Sequence, residues 1–155
     1  MTNRRQFIVL ALGALATGAE AQLTPGIVAL RKAALEEAMR KVTGGAQPRP
    51  GRVKLDIPPL IENGNSVPLT VSVQSPMTAA DHVRAIHVFT EKNPQPNIIS
   101  AWLGPRAGRA ALTTRARIAD TGSVIALAQL SDGSFWSDRA EVVVTLSACL
   151  EDGLI

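Results

Sequence analysis

The sequence has little of several residue types, and each shortage excludes a class of structure or function. It holds one cysteine, Cys149, among 155 residues. No internal disulfide can therefore form, and the fold must rest on its hydrophobic core. Aromatic residues make up 3% of the chain, and the formal net charge is only +3. Without a run of basic residues or aromatic rings to stack on bases, the sequence does not indicate nucleic-acid binding.

Ligands for a metal ion are equally scarce. Metal sites need clustered His, Cys or carboxylate side chains at suitable spacing. The two histidines, His82 and His87, lie five residues apart on a predicted strand, so their side chains should point to opposite faces. We predict no metal and no cofactor, and we interpret His87 as a half-buried histidine with its hydrogen bonds satisfied. A catalytic cysteine–histidine pair would need a pocket, and a terminal arm is a poor wall for one.

The beginning of the chain has the pattern of an export signal. Arg4 and Arg5 form a positive head, and residues 7–16 form an apolar segment that is too short to span a bilayer. The paired arginines followed by Phe7 resemble a twin-arginine signal, whose pattern is Arg-Arg-x-Phe-Leu. Ile8 stands at the last position of that pattern, which is a mild departure.

A cleavage site completes this signal. Residues 19–21 read Ala-Glu-Ala, which fits the small-x-small rule for leader peptidases. We predict a signal peptide over residues 1–21, cleaved near Ala21, and a mature chain that begins at Gln22 in the bacterial periplasm. No second apolar stretch reaches the length of a membrane span, so no stable membrane anchor is expected after cleavage. An uncleaved anchor is the alternative.

Residues 22–52 are predicted to form a helix and a linker. Between residues 27 and 42 the apolar side chains recur every three or four positions, with charged side chains on the other face. This spacing predicts an amphipathic helix. Thr24 followed by Pro25 suits its start, and Gly44-Gly45 suits its end. The helix either packs on its own domain or helps to hold a partner subunit.

Residues 53–146 change to a period of two. Alternation and turn signals such as Asn63-Gly64 and Asp132-Gly133 predict about seven strands without interleaved helices. Pro68 indicates a sheet edge or a strand start. The pattern favours an all-β, immunoglobulin-like antiparallel β-sandwich with an aliphatic core, and a small barrel is the competing fold. The predicted strands are 53–57, 67–73, 83–89, 98–103, 110–118, 124–130 and 135–146.

Residues 147–155 form a predicted C-terminal arm that carries Cys149. Burial is usually poor near a chain end. In an exported protein, an unpaired thiol at such a place is available for reaction with another molecule.

Several segments resemble SoxY, the carrier protein family of the bacterial sulfur-oxidising (Sox) system. The resemblance runs from about residue 22 to 150 and is most specific in residues 61–73, 75–77, 86–89, 93–96 and 131–134. It implies a periplasmic immunoglobulin-like sandwich that pairs with a SoxZ-like subunit in a heterodimer. It also implies that Cys149 is a carrier site rather than a catalytic residue. A haem-containing Sox enzyme would load its thiol with sulfur from thiosulfate, and hydrolytic enzymes would process the adduct.

The arm departs from the family pattern. SoxY proper ends in Gly-Gly-Cys-Gly-Gly, whereas this tail more closely resembles a SoxY-related group with an Ala-Ala-Cys-Ile-Glu arm. Ala148 and Leu150 restrict the backbone more than glycine does. Glu151 and Asp152 place negative charge near the sulfur, which disfavours a thiolate and repels anionic thiosulfate. The arm residues beside the cysteine are Ser147, Ala148, Leu150, Glu151, Asp152 and Gly153.

Three functional hypotheses follow from these residues. The chain is a SoxY-type carrier of thiosulfate oxidation that uses Cys149, or a variant carrier for another substrate, or an interaction subunit in which Cys149 carries nothing. A SoxZ-like partner and a modified cysteine after export would favour the first hypothesis. Failure of a Sox haem enzyme to load the thiol would favour the second. An unchanged function in the variant Cys149→Ser would favour the third.

Overall fold

Two β-sheets face each other, and one helix lies against the outer side of the larger sheet. The structure is a computed structural model that describes residues 25–147. The predicted signal residues Arg4, Arg5 and Phe7 and the carrier residue Cys149 lie outside that range. The elements are α1 (Pro25–Thr43), β1 (Arg49–Pro50), β2 (Val53–Asp56), β3 (Leu60–Ile61), β4 (Val67–Val73), β5 (Val83–Thr90), β6 (Asn97–Trp102), a 3-10 turn (Pro105–Ala107), β7 (Ala110–Ala116), β8 (Gly122–Leu130) and β9 (Phe135–Val144).

The sheets confirm the predicted sandwich and exclude the barrel. The larger sheet has the order β1-β9-β8-β5-β6, with β3 also paired to β9, and the smaller sheet has the order β2-β4-β7. All long pairings are antiparallel. The turn at Asp132-Gly133 joins β8 to β9 as predicted, and Gly133 has a φ of 81°, a left-handed conformation that glycine adopts without strain.

Two short strands correct the sequence prediction. Arg49 and Pro50 pair in parallel with the start of β9, inside the segment that was predicted to be linker. Leu60 and Ile61 pair in parallel with its end. Segments of two residues are too short to show a period of two, and parallel pairing to a distant strand leaves no local sequence signal. β9 itself ends at Val144 rather than at residue 146.

Pro68 lies at a strand start, as the sequence indicated. It is the second residue of β4, and its ladder partner in β7 is Arg115. The pairing of β2 with β4 stops at Asp56 and Thr70. The missing N–H of Pro68 therefore faces a side of β4 that has no paired strand at this level.

The main core fills the space between the two sheets. Alternate side chains of β4 point inward, and Val71 is fully buried. Ile86 and Val88 of β5 meet them from the larger sheet. The residues of this core are aliphatic apart from Met77 and a partly buried tryptophan packed against it, Trp136, as the shortage of aromatic residues predicted.

A second, smaller core joins the helix to the outer face of the larger sheet. Leu35 packs there with four sheet residues: Phe89, Ile125, Leu127 and Phe135. The helix therefore packs on its own domain, which is the first of its two predicted roles. Its N-terminal half leaves apolar side chains uncovered, since Leu30 is 71% exposed. The left-handed backbone of Gly44 (φ 63°) and Gly45 (φ 91°) ends the helix. No helix among residues 25–147 is long and apolar enough to cross a membrane.

Candidate functional site: the arm root

The predicted arm, residues 147–155, begins three residues after β9 ends at Val144. Of its residues the structure describes Ser147, which is exposed. Ala148, Cys149, Leu150, Glu151, Asp152 and Gly153 lie beyond the described residues, and their roles stay predictions. We therefore define the arm root as residues 144–147 and describe how the fold holds it.

One side of the arm root is bonded to the loop at residues 61–64. The N–H of Thr145 donates to the carbonyl oxygen of Ile61 at 2.9 Å. The carbonyl oxygen of Leu146 accepts from the N–H of Gly64 at 2.9 Å. The hydroxyl of Thr145 lies 3.2 Å from the carbonyl oxygen of Glu62, to which it donates. These bonds continue the parallel pairing of β3 with β9 beyond the last ladder residue.

The other side of the arm root is held by the connection between β7 and β8. The hydroxyl of Thr121 accepts the N–H of Val144 at 2.9 Å. The carbonyl oxygen of Gly64 accepts the N–H of Ile118 at 2.8 Å. Three segments that are distant in sequence thus meet where the arm leaves the domain, and the backbone is fixed as far as Leu146.

The surface around the arm root is apolar and then acidic. Leu60 and Val143 are ladder partners, and they are 58% and 51% exposed, while Leu146 is 59% exposed. Three carboxylates lie near these residues in the chain: Glu62 follows Ile61, Glu141 lies two residues before Val143 on β9, and Asp120 precedes Thr121, whose hydroxyl accepts from Val144. Glu141 also accepts from Arg139 at 3.2 Å.

The two histidines lie away from the arm root and do not form a joint site. His87 is on β5 and buried, and its Nδ1 lies 2.8 Å from the hydroxyl oxygen of Ser100. The interpretation of His87 as a hydrogen-bonded histidine is confirmed, and the residue is more deeply buried than the half-buried position that the sequence predicted. His82 lies just before β5 rather than on it, with its Nδ1 3.1 Å from the carbonyl oxygen of Thr78. Among residues 25–147 no group of three or more His, Cys, Asp and Glu side chains could hold a metal ion.

Burial of His87 predicts a pH dependence of stability. Desolvation lowers the pKa of His87 from its usual value of 6.5, because burial penalises the charged ring. The unfolded chain therefore binds the proton more readily, and the free energy of unfolding should fall as pH drops from 6.5 toward the lowered pKa. Urea unfolding of the wild type, His87→Gln and the control His82→Gln across that window measures this effect. The gap in stability between wild type and His87→Gln should narrow as pH falls, and two parallel profiles would contradict the assignment.

Solved structures with a similar fold place this chain among immunoglobulin-like β-sandwich domains. The solved sulfur carrier protein SoxY from Chlorobium limicola f thiosulfatophilum is 25% identical and superposes with a TM-score of 0.63, over 77% of this chain and 98% of that one. The superoxide reductase (neelaredoxin) from Ignicoccus hospitalis is 20% identical with a TM-score of 0.54, over 61% and 80% of the two chains. The superoxide reductase from Nanoarchaeum equitans is 13% identical with a TM-score of 0.51, over 62% and 100%. These last two likenesses show the fold alone.

The family follows from the sequence match. The family model described as sulfur oxidation protein SoxY matches residues 39–149, which is most of the chain. The protein therefore belongs to the SoxY family. The matched range ends at Cys149. A search of the curated proteins found no match. Family membership supports a carrier role in sulfur oxidation and is consistent with a subunit that is not itself an enzyme.

Proposed function

We propose that this chain is a periplasmic carrier of sulfur-compound oxidation, with thiosulfate as the source of sulfur. It holds a covalent sulfur adduct on the Cys149 thiol and presents that adduct to partner enzymes. The observation that carries the proposal is the family match, which extends through the arm root to Cys149. The bonds at Thr145 and Leu146 support it, because they give the arm a fixed point of departure.

Loading would join the thiolate sulfur of Cys149 to the outer sulfur of thiosulfate. Formation of this S–S bond releases the thiol proton and two electrons, and a haem enzyme accepts the electrons. Hydrolysis of the terminal sulfonate then adds the hydroxyl of water to the departing sulfate and leaves a persulfide on the cysteine. The carrier supplies the sulfur atom and its position, and the partner enzymes supply the redox and hydrolytic chemistry.

The proposed partners are a SoxZ-like subunit and the haem-containing and hydrolytic enzymes of the Sox system. Among the strands of residues 25–147, β6 has a partner on one side only and so forms an edge of the larger sheet, and Trp102 at its end is 75% exposed. An unpaired strand edge with an exposed aromatic side chain suits contact with a second sandwich subunit. Export through the twin-arginine pathway, with cleavage near Ala21, would bring the chain to the periplasm.

The composition of the arm favours a second candidate, a variant carrier for another substrate. Glu151 and Asp152 follow the cysteine, and Glu62, Asp120 and Glu141 lie around the arm root. This concentration of negative charge disfavours a thiolate and an anionic substrate. A carrier for a neutral sulfur compound would not meet that repulsion.

A loading reaction distinguishes the two candidates. The mature chain is incubated with thiosulfate, the haem enzyme of its own host and an electron acceptor, and its mass is then measured without reductant. A thiosulfate carrier gains about 112 Da, the mass of a thiosulfate unit that replaces a proton. Alkylation of a parallel sample with iodoacetamide shows whether the thiol is reactive. A reactive thiol that gains no mass would exclude thiosulfate and favour the variant carrier.

A further inference from the structure

The short arm limits how far the thiol can reach. Cys149 follows Leu146 by three residues. Because an extended chain advances at most about 3.6 Å per residue, the Cα atoms of these two residues are no more than about 11 Å apart. The bonds from Gly64 and Ile61 fix the near end of this tether. Any enzyme that acts on the thiol must therefore bring its own surface against the arm root.

The surface that such an enzyme meets is apolar at its centre. Leu60 and Val143 lie side by side as ladder partners on the outward face, while Ile61 and Val144 next to them point into the core. The alternation keeps both side chains on that face, and Leu146, three residues after Val143, is 59% exposed. A groove of about 320 Å³ lies alongside, lined by Leu60, Glu62, Asn63, Pro68 and their neighbours. Apolar side chains held rigidly beside a groove are a typical centre for a protein contact.

The rim of the same surface is acidic. Glu62 and Glu141 are exposed at the edge of the patch, and Asp120 is partly exposed next to Thr121. Arg139 neutralises part of the charge of Glu141. The arm adds Glu151 and Asp152 within a few residues of the thiol. A partner that covers this surface needs basic side chains around an apolar centre to avoid burying unpaired carboxylates.

We propose that Leu60, Val143 and Leu146, with Glu62 and Glu141 at their edge, form the docking surface for the enzymes that act on Cys149. The partner it fits is an enzyme whose active-site entrance has an apolar rim flanked by basic side chains. The inference rests on the proposed carrier function. It adds that this arm is too short to serve an enzyme bound anywhere else on the domain.

Replacement of the apolar pair tests the surface. The double variant Leu60→Gln/Val143→Gln keeps the net charge and changes only exposed side chains. We expect kcat/KM for loading by the haem enzyme to fall by about tenfold or more, since the central residues of an interface carry most of its binding energy. Leu30→Gln is the matched control, because Leu30 is 71% exposed on the helix and should leave kcat/KM unchanged. Iodoacetamide should alkylate the thiol of all variants at the same rate.

A longer arm tests whether the short distance between Leu146 and Cys149 forces the enzyme to dock at the arm root. Insertion of Gly-Ser-Gly-Ser between Ser147 and Ala148 frees the thiol from the arm root. In the protein with the longer arm, Leu60→Gln/Val143→Gln should lower kcat/KM for loading by less than about threefold, because the enzyme no longer has to cover the docking surface to reach the thiol. The docking surface would be overturned if the double variant lowered kcat/KM equally with both arms. It would also be overturned if the double variant did not lower kcat/KM with the original arm. A wild type that the haem enzyme does not load at all would exclude thiosulfate as the substrate, which is a failure of the proposed function and is distinct from a failure of the docking surface.

Ionic strength tests the charge of the partner. Attraction between an acidic carrier surface and a basic enzyme entrance weakens with salt, so kcat/KM should fall as NaCl is added. The decrease of kcat/KM with NaCl concentration should be less steep for the double variant Glu62→Gln/Glu141→Gln. A rate that rises with salt would show that the partner surface is not basic, and would overturn that part of the proposal.

Discussion

Replacement of Cys149 by serine is expected to abolish thiosulfate consumption by a host strain that depends on this chain. The hydroxyl of serine is not ionised at neutral pH and cannot form the S–S bond that the carrier function requires. No other thiol can substitute for it, because the chain has a single cysteine. Complementation of a deletion strain, followed by measurement of residual thiosulfate in the medium, gives the result directly. We expect consumption at the level of the empty vector.

Ser147→Ala serves as the control for this experiment. It changes the arm two residues before the cysteine and keeps the thiol. It should restore consumption to the wild-type level, provided that both variants reach the periplasm in equal amounts on an immunoblot. Normal consumption by the Cys149→Ser strain would favour the hypothesis of an interaction subunit without covalent chemistry.

Replacement of Phe89 by alanine is expected to reduce the free energy of unfolding by about 3–5 kcal/mol, the range found when a buried phenylalanine is removed from a core. Phe89 is fully buried on the outer face of β5, in the small core that joins Leu35 of the helix to the larger sheet. The cavity would weaken both the sheet and the attachment of the helix. Urea or thermal unfolding measures the loss.

Trp102→Ala is the matched aromatic control for stability. Trp102 is 75% exposed at the open edge of β6, so its removal should change the free energy of unfolding by no more than about 0.5 kcal/mol. Equal losses in the two variants would show that the helix core does not contribute as the structure indicates. Because Trp102 lies on the proposed surface for a SoxZ-like subunit, this variant also reports on heterodimer formation.

Alternation made the long strands predictable, and spacing made the helix predictable. The strand β4 alternates from Val67 to Val73 with inward side chains that are all buried, so its period of two was visible in the sequence. The amphipathic spacing of α1 gave its apolar stripe but not the surface that it covers. One sign of that surface was present in β5, where the adjacent apolar residues Val88 and Phe89 must point to opposite faces, as is typical of a strand that is buried on both faces.

The arm root could not be predicted, for a physical reason. Its bonds join Thr145 to Ile61 and Val144 to Thr121, across separations of 84 and 23 residues. Strand 60–61 is too short to alternate, and its parallel pairing depends on tertiary structure alone. Cys149 was identifiable because it is the single cysteine. The place where the domain releases the arm, and hence the reach of the thiol, became visible only in the fold.

The family match supports a carrier of sulfur oxidation, whereas the acidic arm disfavours an anionic substrate such as thiosulfate. The proposed docking surface reconciles these two observations. Carboxylates near the thiol disfavour free thiosulfate. The same carboxylates can attract an enzyme with a basic entrance, which would offset the repulsion once it covers the arm root. In this account the negative charge selects the partner enzyme rather than the substrate.

The most direct test of the carrier function is the intact mass of the protein purified without reductant from the periplasm of thiosulfate-grown cells. We predict a chain that begins at Gln22 and carries additions of about 32 or 112 Da, the masses of a sulfane sulfur and of a thiosulfate unit that replaces a proton. A reductant should remove them, and Cys149→Ser should lack them. An unmodified thiol on every molecule under these growth conditions would contradict the account.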